Sequence, residues 1–330
     1  MSKTRVVTII CWIVSALALT GLLVWLVAGT VFSGWFGNWN NIPFGINFGT
    51  STERLSGPFE LDRTYNVSVG GVDSIRIDWV SGDVVVRPHS GNDIVINEYA
   101  QRELRDNERL RYSISGDTLE INFLERGFSV RRMPAKRVEV LVPYSLSDSL
   151  NRLSVSSVSA DIRITDMTAT TLRGNTTSGA FDAVGTFNIA NIDTVSGRIE
   201  IAGEIYDADL DSVSGRITMT STAQGARVES NSVSGRMDIA GDFDRVVIGT
   251  TSGSMDVEST TAPSSFRASS VSGSITITLP ADATISVRHS AVSGSFSSDI
   301  PVTLEGRGAD FDISSVSGST RIRALGDTDH

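Results

Sequence analysis

The sequence predicts an all-β protein, a β-solenoid with ~20-residue coils, preceded by one N-terminal transmembrane helix. Three observations carry this. One uncharged apolar run occupies the N-terminus, a Ser-Gly pair recurs at near-constant spacing, and apolar residues alternate on either side of that pair.

The apolar run comes first. Residues 6–32 read VVTIICWIVSALALTGLLVWLVAGTVF, with no charge. About 20 such residues span a bilayer, and only as a helix, because hydrocarbon offers the backbone no partners. A cleaved signal peptide is the competing reading. Its apolar core is about 7–15 residues, shorter than this run, although Ala28 and Gly29 would suit a peptidase. Lys3 and Arg5 are the only basic residues before Arg54, so the positive-inside rule puts the N-terminus in the cytoplasm and the rest outside. Trp35, Phe36, Trp39 and Phe44 then suit the membrane–water interface. The chain divides into an anchor with its cytoplasmic N-terminus (1–33), a Gly/Asn/aromatic linker (34–58), a solenoid domain (59–326) and a polar tail (327–330).

Beyond residue 50 lie 26 of the 28 basic residues and all 38 acidic ones, a net charge of −12. Nucleic-acid binding needs clustered Lys and Arg, so a nucleic-acid partner is not expected. The one cysteine, Cys11, sits in the apolar run, which leaves the outer part with neither a disulfide frame nor a cysteine metal site.

The Ser of each Ser-Gly pair is taken as position zero. It falls at Ser178, Ser196, Ser214, Ser234, Ser252, Ser272, Ser293 and Ser317, in steps of 18, 18, 20, 18, 20, 21 and 24 residues. Position +3 is apolar (Phe181, Ile199, Ile217, Met237, Met255, Ile275, Phe296), and so is +5 in Ala183, Ile201, Met219, Ile239, Val257 and Ile277. Position +4 between them is Asp182, Glu200, Thr218, Asp238, Asp256 and Thr276. That is period two, a strand with one buried face. Positions −6 and −4 mark a second strand, as in Ala208/Leu210 and Val246/Ile248. Two or three short strands per period, with no helical stretch between them, describe one coil of a β-helix. Gly at +1 suggests a turn through positive φ. Ser at zero and Ser/Thr at −2 are expected to form ladders that bond coil to coil.

The same register appears in SIRIDWVSGDVVVRP (74–88) and RLSVSSVSADIRI (152–164), with Ala160 in the Gly place. The region between, about 90–150, has longer strands in DIVINEYA, RYSISGDTLEINF and RVEVLVP. It should form hairpins or wider coils at the N-terminal end of the stack.

Catalytic constellations do not emerge. A serine hydrolase needs one Ser activated by an oriented base, whereas this chain has many equivalent Ser residues and only His89, His289 and His330. No GxSxG elbow, P-loop, HExxH, EF-hand or GGxGxD repeat is present. The carboxylates of YDADLDS (206–212) alternate with inward residues and read as a solvated strand face. No catalytic residue, metal or cofactor is therefore expected.

Two basic groups remain as binding candidates. Arg198, Arg216 and Arg236 stand at +2 in three consecutive coils, about 4.8 Å apart per step. They form either an ion-pair ladder with Glu200 and Asp238 or a stripe for an anionic polymer. Arg126, Arg131, Arg132, Lys136 and Arg137 cluster in ERGFSVRRMPAKR, as a solvated hairpin end or a contact with an anionic surface.

The anchor, the SIRIDWVSGDVVV segment and the VSGxIxI coils together resemble a bacterial family of unknown function, the "putative adhesins", over roughly residues 60–325. The resemblance implies a β-helix-like domain on a cell-envelope protein and no catalytic residues. The expected function is a non-enzymatic, membrane-anchored, extracytoplasmic binding or scaffold module, touching envelope polymers or another envelope protein. A self-assembling solenoid of the bactofilin kind is the alternative, and a polysaccharide-acting enzyme comes third. The charged terminal sequence RIRALGDTDH suggests a capped end rather than a bare one.

Overall fold

The structure is a computed structural model and describes residues 58–124, 134–303 and 308–326. The predicted anchor over 6–32, the linker before residue 58 and the tail lie outside the described residues. Among the described residues no helix is long and apolar enough to cross a membrane.

The described strands are, in order, β1 (Glu60–Ser68), β2 (Ser74–Trp79), β3 (Gly82–His89), β4 (Asp93–Ala100), β5 (Arg111–Ser115), β6 (Thr118–Asn122) and β7 (Lys136–Pro143). The one-turn helix α1 (Tyr144–Ser147) precedes β8 (Leu150–Ser157), β9 (Asp161–Thr176), β10 (Phe181–Thr194), β11 (Ile199–Ser212), β12 (Ile217–Ser221), β13 (Ala226–Ser232) and β14 (Met237–Gly241). Then come β15 (Phe243–Thr250), β16 (Met255–Ser259), β17 (Ser265–Ser272), β18 (Ile275–Leu279), β19 (Ile285–Ser298), β20 (Val302–Thr303) and β21 (Ala309–Ala324).

These strands build a β-solenoid of about eight turns. The +3/+5 strands pair in parallel into a first sheet, running β7–β3–β9–β10–β11–β12–β14–β16–β18–β21. The −6/−4 strands form a second sheet, running β6–β2–β8–β9–β10–β11–β13–β15–β17–β21–β19. The long strands β9, β10, β11 and β21 bend and serve both, and β19 bends with β21 and extends both.

Period-two patterning puts Ile199, Ile201, Ile217, Met219, Ala208 and Leu210 at 0–1% exposure, so the two sheets share one interior. Side chains meet across it. The ring of Phe181 fills the space where Gly174 would carry a Cβ, and the Ser230 hydroxyl lies 3.3 Å from Met237 Sδ.

The Ser-Gly corner works differently from the expectation. The +1 glycines from Gly179 to Gly318 do not have positive φ; Gly82, in the first copy, does, at φ +100°. Stacking demands glycine instead. A Cβ on Gly197, Gly215, Gly235, Gly253 or Gly273 would lie 1.8–2.0 Å from the carbonyl oxygen of the glycine one coil below. The position is a column of backbone packed against backbone, and only hydrogen fits there.

The two hydroxyl rows also divide their tasks. Ser at zero does bond coil to coil, as Ser196 Oγ to Thr177 O (3.2 Å) and Ser214 Oγ to Val195 O (3.3 Å). The Ser/Thr at −2 instead closes its own corner. Thr194, Ser212, Ser232 and Thr250 each accept the Gly N–H three residues on, at 2.7–2.9 Å. The −2 side chain points inward, whereas the apolar Val at −1 points out: Val195, Val213 and Val233 are about two-fifths exposed. The corner bond fades toward the C-terminus, where the buried hydroxyls of Ser270 and Ser315 have no partner.

The coils do not stack in sequence order at either end. The β2/β3 coil lies between β6/β7 and β8/β9, and β21 lies between β17/β18 and β19. The apolar content explains the second swap. β21 supplies Phe311, stacked on Phe266 at 4.9 Å, with Ile313 and Ile322, all fully buried. β19 offers Val287, His289 and Ser298 at the matching places, a smaller and more polar set, and is left outermost. The described part of the charged C-terminal sequence, 321–326, therefore follows a strand inside the stack rather than its outermost coil, contrary to the expectation of a capped end.

Among the described residues of 90–150, antiparallel pairs stand beside the parallel coil of β6 and β7. β4 runs antiparallel to both β1 and β7, and β5 runs antiparallel to β6.

Candidate functional site

The outer face of the first sheet carries the +2 and +4 rows. Because the sheet is parallel and in register, Ile199, Ile217 and Met237 align, and the residue before each puts Arg198, Arg216 and Arg236 in one column. All three are exposed. The +4 column beside them reads Asp182, Glu200, Thr218, Asp238, Asp256.

The outer two arginines are paired. Both Asp182 oxygens accept from Arg198 Nη2, at 2.8 and 2.9 Å, and Glu200 lies 3.4 Å from Arg198 Nε. Arg236 Nε donates to Asp238 at 2.6 Å, and its Nη2 lies 2.9 Å from Asp256. These bonds hold the pKa of both guanidiniums above the ordinary arginine value, through Asp182 for Arg198 and Asp238 for Arg236.

Arg216 differs. Its own coil has Thr218 at +4, and its neighbours' carboxylates are engaged by Arg198 and Arg236. Among the described residues Arg216 forms no ion pair. The ladder expected from the sequence thus exists at its two outer rungs and leaves the middle cation open.

The second basic group is split by the structure. Arg126, Arg131 and Arg132 lie outside the described residues. Arg137 is half-exposed, bonded to Asp83 at 2.8–2.9 Å and placed over the Phe59 ring at 5.2 Å.

Lys136 does not face a surface. It is 1% exposed, and its Nζ donates to Glu98 Oε1 (2.8 Å) and to the carbonyls of Glu108 (2.8 Å) and Phe123 (2.5 Å). It lies 4.1 Å from the Phe123 ring centroid and 5.1 Å from that of Trp79. Desolvation pulls its pKa down, while Glu98 opposes the shift. Glu98 also accepts the Leu110 N–H at 2.8 Å. The pair ties the hairpins to the first coils, and it belongs to the core rather than to a binding face.

The second sheet's outer face holds what the sequence reading passed over. Asp193 and Asp211 align there, as do Asp209 and Glu229. Desolvation first, then neighbouring carboxylates, raise Asp193 and Asp209 to about 6. Asp211 is also raised, although Asn231 donates to it from both its backbone N–H and its Nδ2. The signal was present in YDADLDS; what it lacked was the adjacent coil that doubles the charge. A shallow groove on the same face is lined by Asp207, Arg227, Glu229, Asp244 and Arg245 among others. Among the described residues no group of three or more His, Cys, Asp or Glu is placed to hold a metal ion.

Solved structures share this fold. A crystal structure named a "putative adhesin", from Parabacteroides distasonis, superposes with a TM-score of 0.51 at 13% identity, covering 81% of this chain and 98% of that one. A second from the same organism, named a "putative lipid binding protein", gives 0.52 at 15% identity, covering 81% and 97%. At such identity the likeness establishes the fold alone. No curated protein matches the chain. The Toastrack DUF4097 family model matches residues 72–323, which cover the whole solenoid from β2 into β21, and the chain belongs to that family.

Proposed function

We propose that this is a non-enzymatic cell-envelope protein, held in the membrane by residues 6–32 with its N-terminus in the cytoplasm, whose extracytoplasmic solenoid binds an anionic envelope polymer through the arginine column of its first sheet. The observation that carries the reading is Arg216. It is exposed, it lacks a carboxylate, and it is flanked at one coil's spacing by two arginines held in place by theirs. Such a cation needs no internal bond broken before it meets a carboxylate or phosphate, which its planar fork suits. The rigid parallel register presents it on a flat face, and the Ser254 and Ser274 that continue the column confine the positive charge to three coils. The names of the structural relatives point the same way, to binding rather than catalysis.

The test compares Arg216→Ser, the triple variant Arg198→Ser/Arg216→Ser/Arg236→Ser and wild type for melting and for retention on purified anionic envelope polymers. Arg216→Ser alone is expected to lose most of the retention with melting unchanged. Retention unaltered in the triple variant would remove the column from the function.

A further inference from the structure

The C-terminal end of the stack is an open strand edge. β19 is its outermost coil. β20 covers it at Ile285 and Ser286, and past those residues no described strand pairs with its outer side. The strand turns the usual corner at Ser293–Gly294 and so has two arms. On the first arm Val287, His289 and Ala291 face inward, stacked on Phe311, Ile313 and Ser315. On the second arm Phe296 and Ser298 face inward, stacked on Thr320 and Ile322. All five residues beneath are buried. His289 and Phe296 are not; their rings meet at 4.9 Å and stay half-exposed, as the last inward layer would.

We propose that this edge pairs antiparallel with the same edge of a second copy, about a two-fold axis passing between Ser293 and Gly294, and closes a dimer. The strand is self-complementary about that point in three ways. A two-fold through the corner lays the first arm of one copy along the second arm of the other, so the bends coincide. The inward residues also match. Inward positions are odd-numbered before the corner and even-numbered after it, so the axis sets Ala291 opposite Phe296 and His289 opposite Ser298, inside against inside. Finally the charges match, because the same register sets Arg288 opposite Asp299, twice per dimer. Arg288 is about two-thirds exposed, and Asp299, the residue after β19, is about one-third exposed. Arg288 reaches Asp310 at 2.8 Å and Asp299 lies 3.7 Å from Arg321, so each already belongs to an alternating row that the second copy would continue.

The other end of the stack offers no such match. Among the described residues its outermost strands are β1 and β5, each paired antiparallel to one neighbour, and β5 is exposed along its whole length. A parallel coil has nothing equivalent to stack on there. The contact is therefore isologous and stops at two, which separates it from a filament. It stands independently of the arginine column, which lies several coils away along the first sheet.

The experiment is site-specific disulfide cross-linking of the full chain in native membranes, in a Cys11→Ser background. Ser293→Cys puts a thiol beside the axis, within the reach of a disulfide to its own copy. Ser252→Cys places one at the equivalent corner of a middle coil and serves as the control. Mild oxidation should convert Ser293→Cys into a species of twice the 35.3 kDa chain mass, with several-fold less from Ser252→Cys. Arg288→Asp should cut that product several-fold, and adding Asp299→Arg should restore it. Equal cross-linking at the two thiols, an adduct of another mass, or no effect of Arg288→Asp would overturn the proposal.

Discussion

Gly215 lies so close to the corner of the preceding coil that its missing side chain is part of the contact: a Cβ there would sit 1.8 Å from the carbonyl oxygen of Gly197. In a free turn, Gly→Ala stabilises by restricting the unfolded chain, by about 0.4–1 kcal/mol. Here the coil spacing has no room to give. Gly215→Ala is expected to destabilise by about 3 kcal/mol, the upper part of the overpacking range. Chemical denaturation checks it. Ala160 occupies the same row at the first corners, where the neighbouring Gly82 takes a different backbone course at φ +100°.

The two serines of one motif should behave unequally. Ser212→Ala strands the buried Gly215 N–H, which costs about 1–3 kcal/mol. Ser214→Ala removes only an exposed hydroxyl bond of 3.3 Å and should cost about 0.5 kcal/mol or less. Equal losses in paired melts would contradict the division of labour.

Lys136 and Arg137 are chain neighbours with opposite surroundings. Lys136→Met leaves Glu98 charged and buried, with an expected loss of about 3–5 kcal/mol. Arg137→Ala breaks a half-exposed pair with Asp83 and should cost about 0–1 kcal/mol. Urea denaturation of the two variants separates them.

Acid should stabilise the carboxylate face. Asp209 is raised to about 6 by desolvation and by the acids around it, from an ordinary value of 3.8. A raised folded pKa means stability that is present at low pH and is lost as pH rises through about 6. His289 acts oppositely, because burial lowers its pKa and acid therefore favours the unfolded chain. Glu108, held at about 2 by Arg102, is silent until well below this window. The clean readout is a difference: Asp209→Asn should melt higher than wild type at pH 7.5, and the gap should close toward pH 5. A gap independent of pH would show that ionisation is not the cause.

Much of the solenoid was legible because period two and a period near 20 are one-dimensional signals. Ile217 and Thr218 fall on opposite faces as their alternation dictates. What stacking alone decides was not legible. The reason for Gly215 lies in the neighbouring coil, which the sequence does not place, and the same holds for the crowding of Asp209 by Glu229. The placement of β21 inside β19 depends on a competition between two coils for one berth, and the Ser-Gly spacing treats both alike. Lys136 is a different case, since its signal was available. It shares its parity with Val138, Val140 and Val142, and that alternation marks it as inward even though its charge suggests a surface. In the candidate column the three arginines were visible from their spacing. That only the middle one is open follows from Thr218 standing where its neighbours have carboxylates.

The exchanged end coils bear on how the stack can come apart. A simple solenoid can unravel from its last coil inward, one coil at a time. Here the C-terminal strand is clasped between β18 and β19 and cannot peel until β19 has lifted, although β19 precedes it in the chain. At the other end β2 and β3 are sandwiched beneath β6 and β7 in the same manner. The β2/β3 coil and β21 are thus each latched by a segment from further inside the chain, whereas β1 pairs with β4 alone. Trimming of β21, by fraying or by a protease, has to lift β19 first.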